Sequence, residues 1–247
     1  MKDQITTSLS ESSLKEATRY RSEFSHYIGA KGAAGYVDPR EGSADIVTRA
    51  NQKISLSPPE GGFNEIRVGA AWDNQVRDSK GFFGKLLNLK RKLNIDLDLG
   101  CLYELNNGKR GAVQAFGSLF GNFDQPPYFQ LSGDERTGDS EGDDEYIRIN
   151  GSKWHEVKRA LFYIYIYKGE AEWGHIRPQI VIDAPGSKPI VVRPSVFNKD
   201  LRLCVIAGLE NVRNGIQMTS YTEYFPGHVE MDRAYGYGLQ WDDGEKR

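Results

Sequence analysis

The chain has 247 residues, of which 38% are hydrophobic and 27% charged, with a formal net charge of −2 at pH 7. That length suits one large β domain or two small ones, and the near-neutral balance excludes a global basic field for nucleic acid. Two cysteines, Cys101 and Cys204, make no disulfide framework; no apolar run approaches the roughly 18 residues of a membrane span, and the polar start MKDQITTSLSESSLKEA has no signal-peptide core, so a cytoplasmic, soluble protein is expected.

Residues 1–45 are polar and short of Val, Ile and Leu. Within them SSLKEATRYRSEFSHYI has the makings of one helix, with Ser12 or Ser13 as N-cap and Glu16 in the first turn, and GAKGAAGYVDPREGS reads as linker. This segment is expected to be a helical or disordered extension, with residues 46–247 forming the folded domain.

From Asp45 onward the texture is β. NEIRVGAAWD alternates, and in NIDLDLGCLYEL the residues Ile95, Leu97, Leu99, Cys101, Tyr103 and Leu105 share one side. NNGKRG then turns the chain into AVQAFG, as a hairpin signal should. RALFYIYIY is the strongest strand: Ala160, Phe162, Ile164 and Ile166 face one way, and Leu161, Tyr163, Tyr165 and Tyr167 the other. QIVIDAPGSKPIVVR reads as strand, turn and strand, LRLCVIAGLENVRNGIQMTSYTEYF as a hairpin turning near NVRNG, and AYGYGLQW as a last short strand. About nine or ten strands with turn signals between them imply an all-β protein, an antiparallel β-sandwich with short helices. One segment departs from the pattern: GFFGKLLNLKRKLN places Phe82, Leu86, Leu89 and Leu93 at helical spacing among Lys85, Lys90, Arg91 and Lys92, which predicts a short helix packed on the sandwich. A surface helix touching anionic lipid or a partner is the other reading of it.

The run Gly133–Glu145, GDERTGDSEGDDE, holds seven acids in thirteen residues. It reads as a solvated loop, as a patch for a basic partner, or as a loop that wraps a hard cation. A second acidic element bears on the choice. Alternation in NIDLDLG puts Asp96 and Asp98 on one face of a strand whose other face is core, and Asp73 ends the predicted strand of AAWD. Carboxylates converging at one end of a sandwich are tolerable with a cation among them. Every candidate ligand is an oxygen, whereas zinc, copper and iron favour nitrogen or sulfur; six to eight flexible oxygens suit Ca²⁺ better than Mg²⁺. The run is no EF-hand, because counting from Asp134 puts Arg136 third and the glycine too early.

WD, DLDLG and GDERTGDSEGDDE together resemble the TerD-type tellurium-resistance domain, which carries a W-D strand end, a D-L-D-A-S-like strand and a G-D-N-x-T-G-x-x-x-G-D-D-E loop. GFFGKLL, FGNFDQPPYFQL and YFPGHVEMDRAYGYGLQW are similar to the TerA branch of that family. The likeness runs from about Asp45 to Trp241. It implies a β-sandwich that binds one or two Ca²⁺ ions in acidic loops at one end. It further implies a non-enzymatic role in bacterial resistance to tellurite and other stresses, in the cytoplasm and peripherally at the inner face of the membrane, with other Ter-type stress proteins as partners and no nucleic acid. Carried over residue by residue, the metal ligands are Asp96, Asp98, Asp134, Asp143, Asp144 and Glu145, with backbone carbonyls near Arg136 and Gly138 and with Asp73 at the margin. Glu135 stands where the family has Asn, and Leu99-Gly100 replace Ala-Ser.

Other residues add little chemistry. Arg136 is expected to pair with a neighbouring carboxylate; His155, His175 and His228 are scattered and read as structural or exposed; Cys101 falls on the core side of its strand, where thiols are inert. No catalytic residue or organic cofactor site is identified. The tyrosine stripe on RALFYIYIY is expected to be covered by a loop or by the N-terminal extension. Two alternative functions remain: a two-metal hydrolase using the acidic cluster, and a scaffold in which calcium is only structural and contacts come from residues 1–45 or 81–93.

Overall fold

The computed structural model describes residues 30–31, 44–72, 75–77, 90–92, 95–132, 145–169, 173–194 and 196–241. The strands in chain order are β1 (Ala30–Lys31), β2 (Asp45–Val47), β3 (Lys53–Leu56), β4 (Glu65–Ala71), β5 (Gln75–Arg77), β6 (Lys90–Lys92), β7 (Asp96–Leu105) and β8 (Arg110–Val113). They continue as β9 (Gly121–Asn122), β10 (Phe129–Leu131), β11 (Glu145–Asn150), β12 (Val157–Lys168), β13 (Gln179–Asp183), β14 (Ile190–Val192), β15 (Val196–Phe197), β16 (Leu203–Val212) and β17 (Gly215–Phe225). A short helix α1 (Trp173–Ile176) precedes β13, and α2 (His228–Tyr235) follows β17. No helix among the described residues is long and apolar enough to cross a membrane.

Two sheets carry the fold. One has the order β2-β14-β13-β4-β11-β10-β9, the other β3-β17-β16-β12-β7-β8. All pairings within them are antiparallel except β14 with β2. Alternating residues of both sheets turn inward and share one core: Ile66, Val68 and Ala70 of β4 and Ile147 and Ile149 of β11 on one side meet Leu97, Leu99 and Cys101 of β7 and Phe162, Ile164 and Ile166 of β12 on the other. This is the β-sandwich that the alternation predicts. The hairpin between β16 and β17 turns through Arg213 and Asn214, both left-handed at φ 53° and 66°. Such a two-residue turn matches the twist of the strands it joins, and the side-chain Oδ1 of Asn211 accepts the N–H of Asn214 at 2.8 Å.

The six-stranded sheet has a second core on its outer face. Leu102, Ala112, Leu161, Tyr163, Leu203, Val205 and Phe225 lie beneath Met231 and Ala234 of α2 and beneath Tyr237 and Leu239 of the tail that follows. Tyr163 and part of Tyr165 are therefore covered from the C-terminal side, while Tyr167 stays 44% exposed. AYGYGLQW is not a strand: Ala234 and Tyr235 end α2, Gly236 takes the left-handed conformation at φ 66°, and its N–H donates to the carbonyl of Asp232. The predicted helix over 81–93 is also corrected where it is described, since Lys90–Lys92 is a strand paired with β5; residues 81–89 and 93 lie outside the described residues. Within the polar extension, β1 pairs with β15, and the predicted helix there lies outside the described residues.

A charged clamp fixes the covering segment. Glu104, 2% exposed on the outer face of β7, accepts hydrogen bonds from Arg110 at 2.9 Å, Lys158 at 2.9 Å and Arg159 at 2.6 Å. Arg159 reaches on to donate to the carbonyls of Tyr235 and Gly236, and its guanidinium lies 4.1 Å from the Tyr237 ring centre. Burial alone would raise the Glu104 carboxyl; the three cationic donors outweigh it and hold its pKa at about 2. An unfolded glutamate titrates near about 4.3, so the stability contributed by this carboxylate is complete above about pH 4.5 and is lost as pH falls toward about 2. Glu104→Gln is expected to destabilise the protein at pH 7 by on the order of 3 kcal/mol, because buried Arg110 and half-buried Arg159 lose the carboxylate charge they share. Urea unfolding should also show a smaller stability loss for the variant than for the wild type between pH 4.5 and 2.

Candidate metal centre

The candidate centre grows from one strand. On β7 the inward face supplies Leu97, Leu99 and Cys101 to the core, so Asp96, Asp98 and Gly100 take the outward face with Leu102 and Glu104. In register, Asp98 stands opposite Tyr165, Gly100 opposite Tyr163 and Glu104 opposite Arg159. The two acids are outward but not solvated: Asp96 is 9% exposed and Asp98 2%. Asp98 also lies near enough to Tyr163 to help push its phenol pKa up, behind the larger effect of burial. Tyr163 donates to Oε1 of Gln114 and stays neutral.

Glu145 reaches the same strand from the other sheet. It opens β11, where EYIRIN alternates so that Glu145, Ile147 and Ile149 turn inward. Its side chain is fully buried, and Oε2 accepts the N–H of Leu99 at 2.7 Å. That N–H belongs to the peptide joining Asp98 to Leu99. Strand β8 pairs with β7 only from Cys101 onward, so the carboxylate occupies the edge of β7 where β8 has ended. The last acid of the acidic run is thereby joined to the strand acids by one hydrogen bond.

Of the predicted ligands, the structure places Asp96, Asp98 and Glu145 at one end of the sandwich. Asp73, Asp134, Arg136, Gly138, Asp143 and Asp144 lie outside the described residues; Trp72, just before Asp73, is buried at the end of β4. Among the described residues no group of three or more His, Cys, Asp or Glu side chains is drawn together closely enough to hold a metal. The chemistry of the donors present fits a hard cation: all are carboxylates, and burying a carboxylate costs several kcal/mol unless donors or a cation compensate. The sequence reading overlooked β11 as a strand, although the alternation of Glu145, Ile147 and Ile149 would have placed Glu145 on its inward face.

The remaining candidates behave as structural groups. Both cysteines are free and buried, and burial pushes the Cys101 and Cys204 thiols up, away from the reactive thiolate. His155 is exposed and sits 3.4 Å from Glu156. His228 is packed among aromatic rings.

A family model described as the TerD domain matches residues 46–180. The chain is 36% identical over 200 residues to the tellurium resistance protein TerA of an Alcaligenes species, an alignment covering 81% of this chain and 58% of that protein. It is 36% identical over 126 residues to the stress response protein SCP2 of Bacillus subtilis, covering 49% of this chain and 60% of that protein. A crystal structure of a TerD homologue from Streptomyces coelicolor overlaps 72% of this chain and all of its own at a TM-score of 0.45 and 14% identity. The chain thus spans about three-fifths of the length of the curated relatives named here. With more than half of its residues under the family model, the chain belongs to the TerD-domain family of tellurium resistance proteins, as a TerA-type member.

Proposed function

We propose that this chain is a non-enzymatic, calcium-binding stress-response protein of the tellurium-resistance type, in which the acidic run and the β7 carboxylates take up Ca²⁺ and thereby order a surface that docks a partner. One observation carries the reading: the buried Glu145 carboxylate seated on the Asp98–Leu99 peptide, which ties the end of the acidic run to the strand acids. Asp96, Asp98 and Glu145 would hold the ion together with Asp134, Asp143, Asp144 and Asp73 and the carbonyls near Arg136 and Gly138. The ion would supply positive charge where carboxylates gather. Without it, mutual repulsion works against closing the run onto the sheet; with it, that repulsion becomes attraction. The partners proposed are other Ter-type stress proteins, in the cytoplasm or at the inner face of the membrane.

Ligand linkage sets the size of the effect. Calcium at a hundred times its dissociation constant adds about 2.7 kcal/mol per site to the folded state. Thermal melting in millimolar calcium is expected to exceed that in chelator by several degrees for the wild type and to show no shift for Asp98→Asn; identical melting curves for the wild type in the two conditions would overturn the reading. Terbium offers an independent readout, because Tyr163 and Tyr165 stand on β12 opposite Gly100 and Asp98 of β7, and Trp72 directly precedes Asp73: sensitised emission should appear on titration with Tb³⁺ and be displaced by Ca²⁺.

The two roles of Glu145 are separable. Glu145→Gln keeps an oxygen for the Leu99 N–H but removes the charge, so stability in chelator should stay near that of the wild type while the calcium-dependent shift shrinks. Glu145→Ala leaves that N–H without its acceptor and should cost a further 1–3 kcal/mol or so even in chelator. Equal losses for the two variants in chelator would mean that the charge, rather than the hydrogen bond, holds the edge of β7.

A further inference from the structure

His228 is the first residue of α2, half-buried, with its ring packed against four others. The ring centres of Tyr165, Trp241, Tyr163 and Phe116 lie 5.0, 5.1, 5.3 and 5.8 Å from that of the imidazole. These four residues come from three places: β12, the turn after β8, and the last described residue of the tail. The imidazole is therefore the piece that joins the two ends of the covering segment, His228 and Trp241, to the sheet. Its Nε2 is buried and makes no hydrogen bond among the described residues.

Such a pocket accepts a neutral ring and resists a charged one. An imidazolium needs an acceptor for each N–H, and a buried polar group without a partner is costly. The first turn of a helix carries the positive end of its dipole, which further disfavours a cation at this position. Aromatic faces attract a cation, but burial dominates here and lowers the pKa of His228 to about 4. The rings that touch the imidazole are uncharged, and burial keeps the Tyr163 phenol protonated. The charged groups on the elements packed against it include Asp98 of β7, opposite Tyr165 in register, Asp232, whose Oδ2 accepts from the Trp241 indole at 2.9 Å, and Glu230 in the first turn of α2. Asp232 does not drive opening in acid: burial raises its carboxyl pKa, so gaining a proton favours the folded segment.

We propose that His228 is an acid-sensitive latch: as a neutral ring it locks both ends of the 228–241 segment onto the six-stranded sheet, and a proton on it frees those ends and bares the aromatic floor of Phe116, Tyr163 and Tyr165 beside Asp98. The middle of the segment stays attached, because Arg159 keeps its hold on the carbonyls of Tyr235 and Gly236. Opening is thus a pivot about that turn rather than a loss of the whole segment. It needs no metal and stands apart from the calcium reading.

The sign follows from linkage. A histidine in the open segment titrates near about 6.5 and in the closed one near about 4, so the open form binds more protons throughout that interval. Closure is fully favoured above about pH 6.5 and is progressively lost as pH falls toward 4. The opening equilibrium should rise by about fifty- to a hundredfold between pH 7 and 4.5.

The test uses the full chain in chelator and reads amide hydrogen exchange, corrected for the intrinsic pH dependence of exchange. Amides of α2 should lose protection by about that factor between pH 7 and 4.5, while amides of β12 and β16 keep theirs. In His228→Phe, which fills the cage with a ring that does not titrate, the loss should vanish. A direct NMR titration of the His228 imidazole in the wild-type protein serves where the variant fails to fold, and should give a pKa at least one unit below the ordinary value of about 6.5. The latch is overturned by an imidazole that titrates at the ordinary value, by α2 amides that stay protected to pH 4.5 or open only together with β12 and β16, or by a His228→Phe protein that loses protection as the wild type does.

Discussion

A carboxylate taken out of water must be answered by positive charge or by hydrogen-bond donors, and the arrangement of this sandwich follows from where its buried acids find their answer. Strand β7 carries them at both ends of its outer face. At the Leu105 end, Glu104 is surrounded by Arg110, Lys158 and Arg159, and is satisfied by the chain's own cations. At the other end stand Asp96 and Asp98, and Glu145 reaches the same strand from the other sheet, accepting the Leu99 peptide N–H. The first end is closed electrostatically by the chain's own cations; the second holds its carboxylates buried beside the strand edge that Glu145 caps.

The same strand pairing links these ends to the C-terminal segment. Residues opposite β7 on β12 alternate between the inter-sheet core and the outer face, and those on the outer face are Arg159, Leu161, Tyr163 and Tyr165. Arg159 grips the turn after α2, Leu161 lies under its apolar stripe, and the two tyrosines touch His228 at its start. One face of one strand therefore holds the covering segment along its length and also borders the acids.

Much of this was legible in the sequence because it rests on period two. The faces of NIDLDLGCLYEL and RALFYIYIY, the placement of Cys101 in the core, and the turn at NVRNG all follow from alternation and from residues tolerant of a left-handed backbone. The acidic elements and the family were legible because acids at fixed spacings on a strand and in a glycine-bent run form a specific pattern. What escaped were cases in which tertiary contacts outweigh local texture. The Gly- and Tyr-rich AYGYGLQW has β-like composition, yet Ala234 and Tyr235 are drawn into α2 because Met231 and Ala234 find an apolar face to bury. KRK, part of a helical pattern on paper, pairs with β5. The cover over the tyrosines could not be assigned from local sequence at all, since nothing local specifies which end of the chain returns to that face.

The departure of Leu99-Gly100 from the family's Ala-Ser has a physical reason in this chain. Gly100 faces Tyr163 across β7 and β12, and a Cβ at that position would collide with the phenol ring. The missing side chain makes room for the ring, whose hydroxyl donates to Gln114 and which packs edge-on with His228. A serine there would push Tyr163 outward, into the space the imidazole occupies. The glycine beside the acids and the histidine at the start of α2 are thus two halves of one packing solution: room given up on β7 is what allows the aromatic floor, and with it the C-terminal segment, to sit next to Asp98.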